Sequence, residues 1–354
     1  MKRTPSFAHA RRARGLTLVE LMVSLVIGML LVAAMATLFV ANSRSRREVE
    51  ISADATESGR YAIDLLTREL SQAGFYGTVA GKDVNGSTNL PCSTTLSEWN
   101  DSLPYHVIGW NSAATGAGSV ANPACLTTRK VTDATGPGTD AIYIQRASTC
   151  YVGEKDSSGN DICEAESANN VYLQVSECAS EYNSLVATTG KPYVVDRGVS
   201  GSFPLKDNAC GGTNSVKRKV IRRIYYVDQN EIALKSIDLN LSGPQEAITL
   251  VENIEQMQIE YAIAAATSAG TAQTFSSAPT AADWPNVVGA RIWVVSRSTD
   301  LTSSAAAASN FVAGDFDGSD AAHTLTFAAA TTNPKRRVYS AYIPFNTPKI
   351  RVEQ

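Results

Sequence analysis

The stretch RRARGLTLVELMVSLVIGMLLVAAMATLFVANS, residues 11–43, decides how the rest of the chain is organised. From Leu16 to Ala41 it runs for 26 residues with one ionisable side chain, Glu20. As a helix that run spans roughly 39 Å at 1.5 Å per residue, a membrane-crossing length. Lys2, Arg3, Arg11, Arg12 and Arg14 precede it, and residues 1–15 contain no acid. Basic flanks stay cytoplasmic, so the amino terminus is expected inside and the bulk of the chain across the inner membrane. An ordinary secretory signal places a small-residue cleavage site after the apolar run. Ala33-Ala34-Met35-Ala36 offers one, but the run continues past it to Ala41.

The better site lies before the run, at Gly15-Leu16 in RRARGLTLVEL, with Glu20 five positions after the glycine. This combination resembles the type IV prepilin motif. The resemblance implies that a prepilin peptidase cuts after Gly15, that Leu16 becomes the new first residue, and that its amine is methylated. The family more often has Phe or Met there. An acid inside an apolar transmembrane helix costs about 2.5–3.5 kcal/mol and needs a partner. In pilins the resemblance implies that this carboxylate, here Glu20, meets the amine of a neighbouring subunit and fixes register during assembly. The plainer alternative is a Glu near the interface that reaches water.

After Ala41 the chain turns polar, then Ile51, Ala55, Ala62, Leu65, Leu66, Leu70 and Ala73 recur at three- and four-residue steps. That is an amphipathic helix. No Pro occurs from Leu16 to Tyr76, so one helix of about 60 residues, roughly 90 Å at full extension, is predicted to end near Gly74 to Gly77. Beyond it, residues 82–141 are rich in Gly, Ser, Asn and Pro and read as long loops. Strands are expected at 141–146, 171–176, 192–196, 216–228, 231–237, 248–251, 255–262, 287–296 and 337–343 from alternating patterns. Residues 221–237, IRRIYYVDQNEIALKSI, read as a hairpin turning at Asp228-Gln229-Asn230.

GRYAIDLLTRELSQAGFYG (59–77) resembles the segment that closes the long helix in minor pilins of the PilW group and in the related J-type minor pseudopilins of type II secretion. LVENIEQMQIEYAI, VVGARIWVVSRS and PKRRVYSAYIPFNT follow in an order and spacing that resemble the carboxy-terminal half of PilW-group sequences. The expected fold is α+β and pilin-like: a long amino-terminal helix, transmembrane then amphipathic, packed on a large antiparallel β-rich body. The expected divisions are a leader at 1–15, a transmembrane and assembly helix at 16–41, its amphipathic periplasmic half at 42–77, and a globular domain at 78–354. Residues 82–215 carry no resemblance, and there the protein's own specificity is expected.

Six cysteines, at 92, 125, 150, 163, 178 and 210, all follow the apolar run, and no spacing forms a CxxC motif. An even number outside the cytoplasm favours disulfides. Neighbour pairing is expected, Cys92 with Cys125, Cys150 with Cys163 and Cys178 with Cys210, with some free buried thiols as the alternative.

Catalysis finds little support, and no catalytic residue or cofactor is expected. The three histidines, His9, His106 and His323, are isolated, and each reads as a surface or satisfied side chain. There is no GxSxG, HExxH, Walker loop or GxGxxG. Asp315, Asp317 and Asp320 around Gly318 suit Ca²⁺, although a polar surface turn is the plainer reading. Asp156, Asp161 and Glu164 form a weaker acidic run.

Five of the 31 basic residues precede Leu16, so the remainder carries 26 bases against its 34 acids, which argues against nucleic acid as a partner. Lys217, Arg218, Lys219, Arg222 and Arg223 alternate across a strand rather than forming one stripe, and guarding a sheet edge is a competing use for them.

The resemblance therefore implies a minor subunit of a type IV pilus, in an initiation or tip complex, with other pilins, prepilin peptidase, the assembly platform and motor, and the inner membrane as partners. It implies pilus biogenesis, adhesion, twitching motility and DNA uptake collectively, and a pilus or cell-surface location after assembly. A minor pseudopilin of type II secretion and a membrane-anchored periplasmic binding or adhesin domain are the alternatives.

Overall fold

A computed structural model of the chain describes residues 17–79, 84, 86, 91–112, 122–129, 138–264, 273–302, 309–312, 324–327 and 333–345. It divides into two compact units, residues 1–52 and 53–354. Helix α1, Leu18–Leu70, contributes to both. Its first part has apolar side chains on every side, and from Leu18 to Val40 the large ones are exposed. In the second unit the same helix buries Ala55, Ala62, Leu66 and Leu70, the stripe that its three- and four-residue spacing requires.

The helix stops earlier than the sequence suggests. Leu70 is its last residue, a turn covers 71–74, and Gly74 (φ +74°) and Gly77 (φ +72°) take left-handed backbone in the exit. These two glycines redirect the chain after the helix rather than closing it.

Among the described residues all strand pairing is antiparallel. The first sheet is built from β1 (Val107–Trp110), β2 (Ala141–Ala147), β3 (Val171–Val175), β4 (Tyr193–Arg197), β5 (Lys217–Val227), β6 (Ala233–Asn240), β7 (Gly243–Pro244) and β8 (Ile248–Glu252). Strand β5 is its spine: β2 lies along one side, while β3 and β6 share the other. The second sheet contains β9 (Ile254–Ala264), β10 (Gln273–Ser276), β11 (Val287–Thr302) and β14 (Asn333–Pro344) in the order β10-β9-β11-β14. A separate hairpin pairs β12 (Ser309–Val312) with β13 (Thr324–Phe327). Leu325 and Phe327 from this hairpin cluster with Trp293 and Val295 of β11.

One apolar cluster joins Ala62, Leu66, Leu70 and Ala73 to Ile142, Ile144, Ile224 and Leu234 of the first sheet and to Met257, Ile259, Ile292 and Val294 of the second. The second half of α1 thus supplies a common core surface for both sheets. At Gly59 the approach is closest, because a Cβ there would lie 2.3 Å from the Tyr339 ring and 2.9 Å from Ser296 Oγ. The hydroxyl of Ser296 donates to the Ala55 carbonyl at 2.5 Å. Helix and sheet are held by contact and by a hydrogen bond one turn apart.

The 82–141 region is not only loops. It contains helix α2 (Leu96–Asp101) and edge strand β1, stabilised by long-range partners rather than by local pattern. Helix α3 (Ala179–Thr189), likewise unexpected, ends at Gly190 in left-handed backbone. The cysteines pair in neighbour order: Cys92–Cys125, Cys150–Cys163 and Cys178–Cys210. All three bonds lie in the stretch that carries no resemblance, where they close loops and reduce the freedom of the unfolded chain.

Candidate functional site

Glu20 lies in the first turn of α1, and its surroundings answer what an acid does at the head of an apolar helix. The first turn of any helix leaves backbone N–H groups without intrahelical acceptors. Here the Thr17 hydroxyl oxygen accepts the Glu20 N–H at 3.3 Å, while the Glu20 carboxylate accepts the Thr17 N–H at 3.2 Å and the Thr17 hydroxyl at 3.1 Å. This is a reciprocal capping box. The carboxylate also stands at the positive end of the helix dipole. The sequence reading gave Glu20 a neighbouring subunit's amine or water as its partner and did not include Thr17, although the Thr-x-x-Glu spacing signals this cap.

Gly15 and Leu16, the expected cleavage and methylation positions, lie outside the described residues, as do Asp315, Asp317, Asp320 and His323. Helix α1 is long and apolar enough to cross a membrane, and its apolar window is unburied. No group of acids, histidines and cysteines that could hold a metal ion occurs among the described residues. The weaker acidic run is dispersed by its partners. Asp156 accepts the N–H groups of Ser158 (2.8 Å) and Asn160 (2.9 Å), Asp161 pairs with Lys155 at 2.7 Å, and Glu164 pairs with Lys219.

The basic residues of β5 are engaged within the chain. Lys217 pairs with Glu166, Lys219 with Glu164, and Arg218 donates to the carbonyls of Ser148 and Thr149. Arg222 is buried, with its guanidinium 3.8 Å from the Trp99 ring centroid and its Nε donating to Gln145 Oε1 at 2.7 Å. Arg223 pairs with Asp238 and reaches Glu69 at 3.4 Å, while the Tyr225 hydroxyl donates to the same Glu69 carboxylate at 2.8 Å. The side-chain hydrogen bond to Asp238 holds the Arg223 pKa above its ordinary value. This cluster ties the last turn of α1 to the centre of the first sheet. Because β5 is paired on both sides, the edge-guard reading of these residues is wrong.

Two further buried groups have structural partners. His106 has Nδ1 3.1 Å from the Pro104 carbonyl and Nε2 2.9 Å from the Val287 carbonyl. Asp140 links the sheets: its N–H donates to Met257 O at 2.8 Å, and its carboxylate accepts the N–H groups of Ser112 (2.8 Å) and Ile259 (2.7 Å). Burial pushes the Asp140 carboxyl up to about 7, against the opposing pull of those two N–H donors and of Arg129. Neither group belongs to an arrangement of nucleophile and base.

Two family models match the chain. Residues 224–346 match type IV pilus-assembly protein W, and residues 10–36 match the prokaryotic N-terminal methylation motif. No curated protein and no solved structure matches it. The matched families are structural rather than catalytic. The first match runs from Ile224 in β5 to two residues beyond the end of β14, and the second covers Gly15, Leu16, Thr17 and Glu20. Together they support a type IV pilin-like pilus component, and the apolar helix fits a membrane-anchored pilin.

Proposed function

We propose that this type IV pilin-like pilus component is made as a prepilin and enters the filament as a minor subunit, at an initiation or tip complex. Prepilin peptidase cuts between Gly15 and Leu16 and methylates the Leu16 amine. The apolar part of α1 then holds the subunit in the inner membrane with its body in the periplasm until the assembly platform and motor move it among the other pilins, after which it stands on the cell surface.

The observation that carries this reading is the placement of Glu20. A single carboxylate sits at the head of a helix whose large apolar side chains are exposed through Val40, inside the region that matches the methylation motif. Burying that apolar surface against lipid or neighbouring helices is favourable at about 25 cal/mol per Å², but a carboxylate carried along needs a compensating charge. The methylated amine of a neighbouring Leu16 supplies one. In the separate chain the capping bonds from Thr17 hold the carboxylate at the helix head, so the acceptor is already placed before a neighbour arrives.

The test is incorporation into sheared filaments. Glu20→Ala should leave processing intact and lower the amount of this subunit in the filament fraction at least tenfold, while Glu20→Asp should retain part of it. Full incorporation of Glu20→Ala would remove the carboxylate from the assembly step.

A further inference from the structure

The three disulfides present different faces to a thiol arriving from solution. Cys125 is buried in the main apolar core, with Cys92 packed against it. Cys150 and Cys163 are both half-buried. In the third bond Cys178 is 2% exposed, whereas Cys210 is the one cysteine of the six that is exposed. Gly211 and Gly212 follow it, and among the described residues a Cβ built at either would meet no atom within 4 Å, so the space beside Cys210 is open. Cys210 also holds φ +55°, a left-handed backbone that is costly for a residue with a Cβ.

The buried partner is placed to leave as a thiolate. Cys178 is the N-cap of α3, a helix of 11 residues. The first intrahelical bond runs from the Tyr182 N–H to the Cys178 carbonyl at 2.8 Å, so the N–H groups of Ala179, Ser180 and Glu181 belong to the open end of the helix. Those groups and the helix dipole stabilise a thiolate at this position. The Ser180 hydroxyl adds a directed donor, 3.2 Å from Cys178 Sγ against 4.0 Å from Cys210 Sγ. Glu181, the acid of the same turn, is held by other groups: its carboxylate accepts the Ser176 hydroxyl at 2.6 Å and the Lys206 N–H at 2.9 Å. Cys150 has a serine donor as well, Ser148 Oγ at 3.2 Å, but neither Cys150 nor Cys163 stands at a helix terminus.

We propose that Cys178–Cys210 is a thiol–disulfide exchange site, opened by a dithiol that attacks Cys210 and expels Cys178. The incoming thiolate bonds to Cys210 Sγ as the bond to Cys178 breaks, and the electron pair of that bond passes to Cys178 as a thiolate. The second thiol of the reductant, as its thiolate, then displaces Cys210 from the mixed disulfide and closes the reductant's own disulfide. Two electrons have moved to the protein, and the protons lost by the dithiol pass to the two cysteines through solvent. A low leaving-group pKa speeds such exchange, and the end of α3 and the Ser180 hydroxyl supply it at Cys178.

What the exchange releases is local. Lys206 and Asn214 pair as an antiparallel bridge at the base of the loop that carries Cys210. The Glu177 N–H donates to the Lys206 carbonyl at 3.0 Å, and the Ser215 N–H donates to the Leu205 carbonyl at 2.8 Å. These bonds keep both ends of the loop in place without the disulfide. Reduction therefore frees residues 208–212 from the start of α3 and leaves the neighbouring strands paired. The exchange goes beyond the pilus reading and does not depend on it.

The experiment uses the full-length oxidised chain in detergent, with limiting dithiothreitol, an iodoacetamide quench and mass mapping of the alkylated cysteines. Cys178 and Cys210 should become alkylated about tenfold faster than the other four. With glutathione, a monothiol, the trapped mixed disulfide should sit on Cys210. Ser180→Ala should slow the opening of this bond about threefold, the size of one lost hydrogen bond, and leave the other two bonds at their natural rates. Hydrogen exchange on reduction should quicken at residues 208–212 and stay unchanged in β3 and β5. The proposal is overturned if another disulfide opens first, if glutathione is found on Cys178, or if exchange quickens in those strands. An unchanged rate in Ser180→Ala would also overturn it, because exposure alone would then set the order.

Discussion

The two halves of α1 share one continuous backbone and differ in almost everything else. From Leu18 to Val40 the large apolar side chains are exposed, whereas Ala55, Ala62, Leu66 and Leu70 are completely buried against the two sheets. The first half is apolar all round, and the second is apolar along one stripe. What separates the two halves is therefore where the apolar atoms go: in the second they pack on the chain's own β body, and in the first they stay exposed, the surface that the proposed function assigns to lipid and neighbouring subunits. Glu20 and Glu69 repeat the contrast. Among the described residues Glu20 is bonded to Thr17 of its own first turn, whereas Glu69 is bound to Tyr225 and Arg223 of β5.

The comparison breaks most visibly at Leu66. Leu66→Ala should cost the body about 2–5 kcal/mol in denaturant unfolding, the range for emptying a well-packed core site. An equal loss from Leu31→Ala would show that the first half also contributes to the folded body. The account expects no measurable change there.

The pH dependence of stability should belong to the second unit. Burial raises the Asp140 carboxyl to about 7 from its ordinary value of 3.8. For a carboxyl raised in this way, the protonated form is favoured by folding. Its contribution is fully present below pH 4 and declines as pH rises from about 4 to about 7, where the unfolded chain has ionised and the folded chain has not. Unfolding midpoints measured across that interval should fall more steeply for the natural chain than for Asp140→Asn, and equal slopes would remove Asp140 as the cause.

Gly59→Val tests the closest contact between helix and sheet. It should cost about 1–3 kcal/mol, as overpacking does, because the Tyr339 ring occupies the space of the new Cβ. Unchanged thermal unfolding would mean that β14 yields readily at that point. Thr17→Ala should have the smallest effect, about 1 kcal/mol confined to the first turn of α1. Hydrogen exchange should quicken at the first-turn amides and stay unchanged in the β sheets.

The parts of this architecture readable from the sequence are those whose signal is local. Helix α1 is an uninterrupted run without proline, and the β5–β6 hairpin alternates cleanly and turns where the Asp228 carboxylate accepts the N–H groups of Asn230 and Glu231. The neighbour pairing of the cysteines was also correct. The parts that escaped depend on distant residues. Strand β1 is four residues long among Gly- and Ser-rich stretches, and it is set by β2 more than thirty positions later. Helix α3 buries no side chain, so it offers no stripe to read, although Gly190 at its end was a usable signal. Arg222 reads as a surface cation until Trp99 is placed on its guanidinium. Thr17 is legible locally, as the first residue of a Thr-x-x-Glu spacing that opens the helix.

The most direct test of the central claim is the amino-terminal sequence and intact mass of the protein from membranes of cells with and without prepilin peptidase. The account predicts a peptidase-dependent start at Leu16, with a methylated amine and three disulfides retained in the mass. A start at Met1 in both strains, or a start beyond Ala36, would contradict it and leave an anchored or secreted β-rich domain in its place.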